Sequence, residues 1–117
     1  MSRLYNILNK LATPETATPS ITSSTGTLND ASITKVGRVI TLTVSVKNSS
    51  NVAAGSNIFS GTIENKYKPS ANSYGLGYNG ASVGVLAVVD TGSIVVRCAG
   101  AALGANNTMV ASVTYIV

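Results

Sequence analysis

Residues 36–46 read VGRVITLTVSV, and their alternation decides the fold class. Val36, Arg38, Ile40, Leu42, Val44 and Val46 fall on one side, and Gly37, Val39, Thr41, Thr43 and Ser45 on the other. Successive side chains of a β-strand point to opposite faces of the sheet, so a period of two marks a strand with one face buried. Residues 109–117 repeat the pattern: Met109, Ala111, Val113, Tyr115 and Val117 oppose Val110, Ser112, Thr114 and Ile116. A strand this apolar is expected at the centre of a sheet or under a neighbour, because an exposed edge of that kind recruits foreign strands.

Residues 57–64, 74–78, 83–89 and 93–98 read as further strands. Gly61 marks a bulge or a point of close contact. Asn48-Ser49-Ser50-Asn51 has the composition of a turn. Asp90-Thr91-Gly92 reads as a hairpin turn with glycine where a positive φ is needed. Residues 83–89, apolar at both parities, predict two covered faces, the second by an oligomer interface. Roughly seven or eight short strands with turns between them predict an all-β fold, an antiparallel β-sandwich of jelly-roll type, over residues 28–117.

Two segments precede the sandwich. In residues 1–12, Leu4, Ile7, Leu8 and Leu11 make one apolar stripe at helical spacing, and Ser2 is placed to cap the start. So short a helix is marginal alone in water and needs a partner surface, either its own domain or the equivalent helices of sister chains. Residues 13–27 carry Pro14 and Pro19 among Ser and Thr. Proline breaks helices and pushes its predecessor towards extended backbone, so this stretch reads as a linker that becomes a first edge strand near residues 20–24.

The 117 residues suffice for one domain with a modest core, and the 44% apolar content argues against disorder. Charged residues make up only 10% of the chain, against about 25% in an average soluble protein. The net charge of +4 is scattered, with Lys66-Tyr67-Lys68 the one local cluster. A solvated loop explains that cluster more simply than a phosphate contact, so nucleic acid is not an expected partner. No run approaches the about 20 apolar residues of a membrane span, and no secretory signal is visible.

Catalysis needs groups that move protons, form covalent bonds or hold metals. The chain has no histidine, one cysteine and four carboxylates. That leaves no Ser-His-Asp triad, no Cys-His pair and no ordinary zinc site. Cys98, inside an apolar run, is expected as a buried thiol. Glu64 and Asp90 are the only carboxylates to consider as an acid–base pair for polysaccharide cleavage, and nothing in the sequence brings them together. The expectation is a protein with no catalytic residues, no metal and no cofactor.

Binding is a different matter. Sugars are held on shallow surfaces by an aromatic face and neutral hydrogen-bonding groups. Tyr67, Asn72, Tyr74, Tyr78 and Asn79 offer both kinds close together, in a loop-rich stretch of the sort that carries function on rigid scaffolds. The simpler reading of each tyrosine is packing against the sandwich.

Two segments carry a family resemblance. Lys35-Val36-Gly37-Arg38-Val39-Ile40-Thr41-Leu42 resembles a strand entry of small tail and baseplate proteins of phages and prophages, and Ile63 followed by Tyr67-Lys68-Pro69 resembles their Tyr-Arg-Pro loop. The opening Met1-Ser2-Arg3-Leu4-Tyr5-Asn6 is similar to the start of short tail-associated proteins in Gram-positive prophages. The usual Leu-Pro-x-Gly before the loop is replaced by Thr62-Ile63-Glu64-Asn65-Lys66, and the helix is shorter than a typical stalk. The resemblance implies a homotrimer of β heads, with Leu4, Ile7, Leu8 and Leu11 gathered at the three-fold axis. It also implies a place in the virion tail, contact with other tail or baseplate proteins and with a host-surface saccharide, and release without a signal peptide. A purely structural decoration or connector is the alternative.

Overall fold

The computed structural model describes residues 15–18, 20–79, 82–88, 92–99 and 102–117. The helix expected over residues 1–12, with Leu4, Ile7, Leu8 and Leu11, lies outside the described residues, as do Asp90 and Thr91. So do the side chains of residues 85–88, and with them the expectation of two covered faces there.

Nine strands follow one another: β1 (Glu15–Ala17), β2 (Thr22–Thr25), β3 (Thr27–Val36), β4 (Val39–Lys47), β5 (Asn57–Thr62), β6 (Ser73–Asn79), β7 (Ser82–Val88), β8 (Ser93–Ala99) and β9 (Thr108–Ile116). All pairings are antiparallel, in the order β1-β3-β4-β9-β6-β7-β8-β5-β2. The ladder folds over on itself into two layers, β1-β3-β4-β9 facing β6-β7-β8-β5-β2. Between them lie Ile33, Ile40, Leu42, Val44, Val46, Met109 and Val113 from the first layer, and Phe59, Ile94, Val96 and Cys98 from the second, all buried. Each large side chain buried here contributes about 1.5–3 kcal/mol. The fold is thus an all-β sandwich.

Three expectations change in detail. Successive strands pair as hairpins at β3–β4, β6–β7 and β7–β8, and β5 returns beside β8 to complete a Greek key. That meander replaces the jelly-roll connectivity. The stretch 36–46 is not one strand: Val36 ends β3, Gly37 and Arg38 form the turn, and β4 starts at Val39. Gly37, with φ of 59°, supplies the positive φ that a two-residue hairpin loop requires. From Ile40 onward the buried parity holds through Leu42, Val44 and Val46. Residues 15–27 belong to the sandwich rather than to a linker, since β1 and β2 are its two edges, both short and mostly hydroxyl-bearing. β9 is central, between β4 and β6, as its apolar alternation predicts.

The layers turn into one another at β6. It pairs with β7 along its whole length but with β9 only from Leu76–Ser112 to Tyr78–Val110. The bend is sharp enough that Cα atoms of β7 and β9 approach within 8 Å although β6 lies between them. Glycines line its inner side. A Cβ on Gly75 would run into the backbone carbonyl of Ser112, and one on Gly77 would lie 2.9 Å from the Ala111 Cβ. Gly84, opposite Gly77, faces the Met109 sulfur.

Polar ties close the ends. The Tyr115 hydroxyl donates to the Tyr67 carbonyl at 2.7 Å inside the core, which holds the 3-10 turn Asn65–Tyr67 against β9. At the hairpin tip, Arg38 Nε donates to the Val117 carbonyl at 2.8 Å. At the opposite end, Asn48 Nδ2 donates to the carbonyls of Ser50 and Gly104, both at 2.7 Å, and the Val52–Leu103 bridge extends the same lacing of two loops. Asn48 is buried, and its Oδ1 has no partner among the described residues. An unsatisfied buried acceptor costs about 1–3 kcal/mol.

Two tests follow from this packing. Gly75→Ala is expected to lose about 1–3 kcal/mol in urea unfolding, because the opposing group is backbone. Gly84→Ala should lose less, since the Met109 side chain can swing away. Burial also pushes Tyr115 up to about 12, from an ordinary value near 10. The folded state therefore holds this proton more tightly than the unfolded chain. The resulting stabilisation is complete below about pH 10 and is lost as pH rises towards about 12. Tyr115→Phe should cost about 1 kcal/mol near neutral pH and flatten the decline of stability across that alkaline window.

Candidate functional site

The five residues expected to meet a saccharide do not form one site. Tyr67 is 8% exposed and belongs to the core. Its ring is covered by Lys66, whose Nζ stands 5.0 Å from the ring centroid and 3.7 Å from Glu64 Oε2. The Tyr67 hydroxyl, and after it Glu64, hold the fully exposed Lys66 ammonium above its ordinary range. Asn79 is half-buried and spends its Nδ2 on the Thr108 carbonyl, which ties the end of β6 to β9. Asn72 is exposed just before β6.

Tyr74 and Tyr78 stay together on the surface. Both are 67% exposed, with Leu76 between them at 73%. Residues two apart on a strand share a face, so the three side chains stand in a row spanning about 13 Å. Local sequence explains the row: Gly75 and Gly77 occupy the inward positions, where the bend leaves no room for a Cβ, and the large side chains take the outward ones. β6 is therefore the ridge of the corner, small inside and large outside.

The ridge continues onto β9 and β4. Tyr78 pairs with Val110, Leu76 with Ser112, Thr43 with Ser112, Thr41 with Thr114, and Val39 with Ile116. Hydroxyls join the strands across the middle, with Thr41 Oγ1 3.1 Å from Thr114 Oγ1 and Thr43 Oγ1 3.3 Å from Ser112 Oγ. Val36, Val39 and Ile116 form a second apolar cluster at the hairpin end. Every large hydrophobic side chain that is exposed among the described residues lies on this one outer surface. Its outward positions on β4 from Val39 to Ser45, on β9 from Val110 to Ile116 and on β6 from Tyr74 to Tyr78 bear no charge.

The sequence reading had the tyrosines but missed Leu76, Val110 and Ile116. The signal was present in residues 109–117, where Val110 and Ile116 punctuate the polar parity, but a period-two pattern states which residues share a face and not which neighbouring strand extends it. Chemically, the surface can bury apolar area and exchange neutral hydrogen bonds. Cys98 is buried, and among the described residues no group of three or more His, Cys, Asp or Glu lies close enough to hold a metal ion. Among the same residues no helix is long and apolar enough to cross a membrane. Comparison with known protein families finds no match, and comparison with curated proteins finds no significant relative.

Proposed function

We propose that the chain is a non-enzymatic phage or prophage tail or baseplate component that acts by surface contact, its β heads packing against copies of themselves in a homotrimer. One observation carries this reading: the exposed large hydrophobic side chains gather on a single uncharged outer surface of β4, β9 and β6. Monomeric proteins rarely leave such a patch in water, and contiguous exposed apolar surface marks an interaction site. The chain carries +4 overall, so identical copies repel one another, and an uncharged contact surface is where that repulsion is least. Closed cyclic symmetry then buries the surface in every copy. The sequence resemblance supplies the setting, a virion tail with neighbouring baseplate proteins as partners.

A second reading is favoured by the row of Tyr74 and Tyr78. Two exposed aromatic faces on one strand, beside a ladder of hydroxyls, also suit a host-surface saccharide. The two readings separate experimentally. Light scattering on the full chain is expected to give three times the 11.9 kDa monomer mass, and Leu76→Glu, at an exposed position, to give the monomer with an unchanged circular dichroism spectrum. A wild-type monomer at tens of micromolar, or a trimer indifferent to Leu76→Glu, would overturn the assembly reading. Loss of glycan-array binding on Tyr74→Ala and Tyr78→Ala, with the mass unchanged, would put the saccharide on the ridge instead.

A further inference from the structure

The β3–β4 hairpin has its turn at one end of the sandwich, and a cleft opens at the other. Thr27, Asn29, Lys47, Asn48, Ser49 and Asn106 line about 340 Å³ of space there, a size at the lower end of small-molecule sites. Three irregularities of the chain converge on it. Asn29 is the extra residue where the β3–β4 register shifts between Leu28 and Asp30, and such bulges re-aim side chains beside binding sites. Asn106 has a φ of 63°, in the left-handed region. Asn48 is 3% exposed, with an Oδ1 that has no partner among the described residues.

The orientation of Asn48 is fixed chemically. Both of its Nδ2 hydrogens are taken, by the Ser50 and Gly104 carbonyls. A flipped amide would set oxygen against two carbonyl oxygens, so the acceptor must be the free end. A buried acceptor without a donor calls for a ligand or water that can donate. The rest of the lining narrows the class. Lys47 is the only charged residue in it, and no carboxylate lines it, which disfavours a cation. A fully ionised anion has no proton to give to Asn48. A hydroxyl both donates and accepts, and so does the set of amides and hydroxyls on Thr27, Asn29, Ser49 and Asn106.

We propose that this cleft binds a neutral polyhydroxyl ligand, a saccharide unit, with one hydroxyl donating to Asn48 Oδ1 directly or through a held water. No aromatic ring lines the cleft, so a single site is weak, and copies in one assembly multiply it through avidity. The chemistry of the cleft is independent of how the heads assemble; a host-surface source for the sugar rests on the tail reading.

The test is a titration of the ¹⁵N-labelled full chain with glucose, galactose, rhamnose and N-acetylglucosamine, with inorganic phosphate as the anionic control. The expected result is saturable shifts at the Asn48, Ser49 and Asn106 amides for at least one sugar, with a dissociation constant on the order of millimolar. Asn29→Ala and Ser49→Ala, both at exposed positions, should each weaken binding by about three- to tenfold while the remaining peaks stay in place. Absence of saturable shifts for every sugar would overturn the proposal, as would equal shifts with phosphate or an undiminished response in the double variant. Shifts confined to Tyr74 and Tyr78 would move the sugar to the ridge. Light scattering on the same samples reports assembly separately, so the two readings fail independently.

Discussion

The close approach of backbone to backbone at the β9–β6–β7 corner is the constraint on which the rest of the structure depends. A nine-stranded ladder this long has to curl to bury a face, and here it does so across one strand. Side chains of ordinary size would hold β6 and β9 apart, so Gly75, Gly77 and Gly84 occupy the inner positions of the bend. Once the corner is made, Met109 and Ala111 drop into the space the glycines leave. Phe59 and Cys98 can then meet Leu42 and Val44 across one core. The same geometry creates the outer surface: a strand whose inward positions must be glycine has only its outward positions for Tyr74, Leu76 and Tyr78.

Much of this was legible in the sequence because period-two alternation reports burial directly. The inward sets Ile40–Leu42–Val44–Val46 and Met109–Ala111–Val113–Tyr115 are buried as read, and the central place of β9 follows from its apolar content. Legibility stopped where the alternation is silent. Val36 and Arg38 keep the parity of β4 but lie beyond its start, because a tight hairpin can interrupt a period without shifting it. The edges β1 and β2 are too short and too polar to announce themselves. Strand order, which decides whether a sandwich is a jelly roll or a meander with a Greek key, depends on pairings between residues as distant as Val39 and Ile116.

The candidate site shows the same division. Composition placed Tyr67, Asn72, Tyr74, Tyr78 and Asn79 together, yet their environments differ completely. Tyr67 is fixed by Tyr115 from below and Lys66 from above, Asn79 is turned to β9, and Tyr74 and Tyr78 stand in solvent. Parity within β6 separates these fates: Tyr74 and Tyr78 share one side, and Asn79 takes the other. The polar cleft is the opposite case. Its residues come from β3, from the turn after β4 and from the loop before β9, and only the folded chain brings these together.

The order in which the strands are made has a consequence of its own. β9 leaves the ribosome after the other eight, yet it lies between β4 and β6 and joins the two layers. Until it arrives, β4 and β6 each have an unpaired side, and Leu42, Val44 and Phe59 lack the strand that closes over them. The β3–β4 and β6–β7–β8 hairpins can form during synthesis from local contacts, whereas the two-layer core waits for pairings about seventy residues apart in sequence, which are slow to find. Interrupting translation before Thr108 would therefore leave two half-sheets without a common core, and the native state becomes reachable only when synthesis has passed β9.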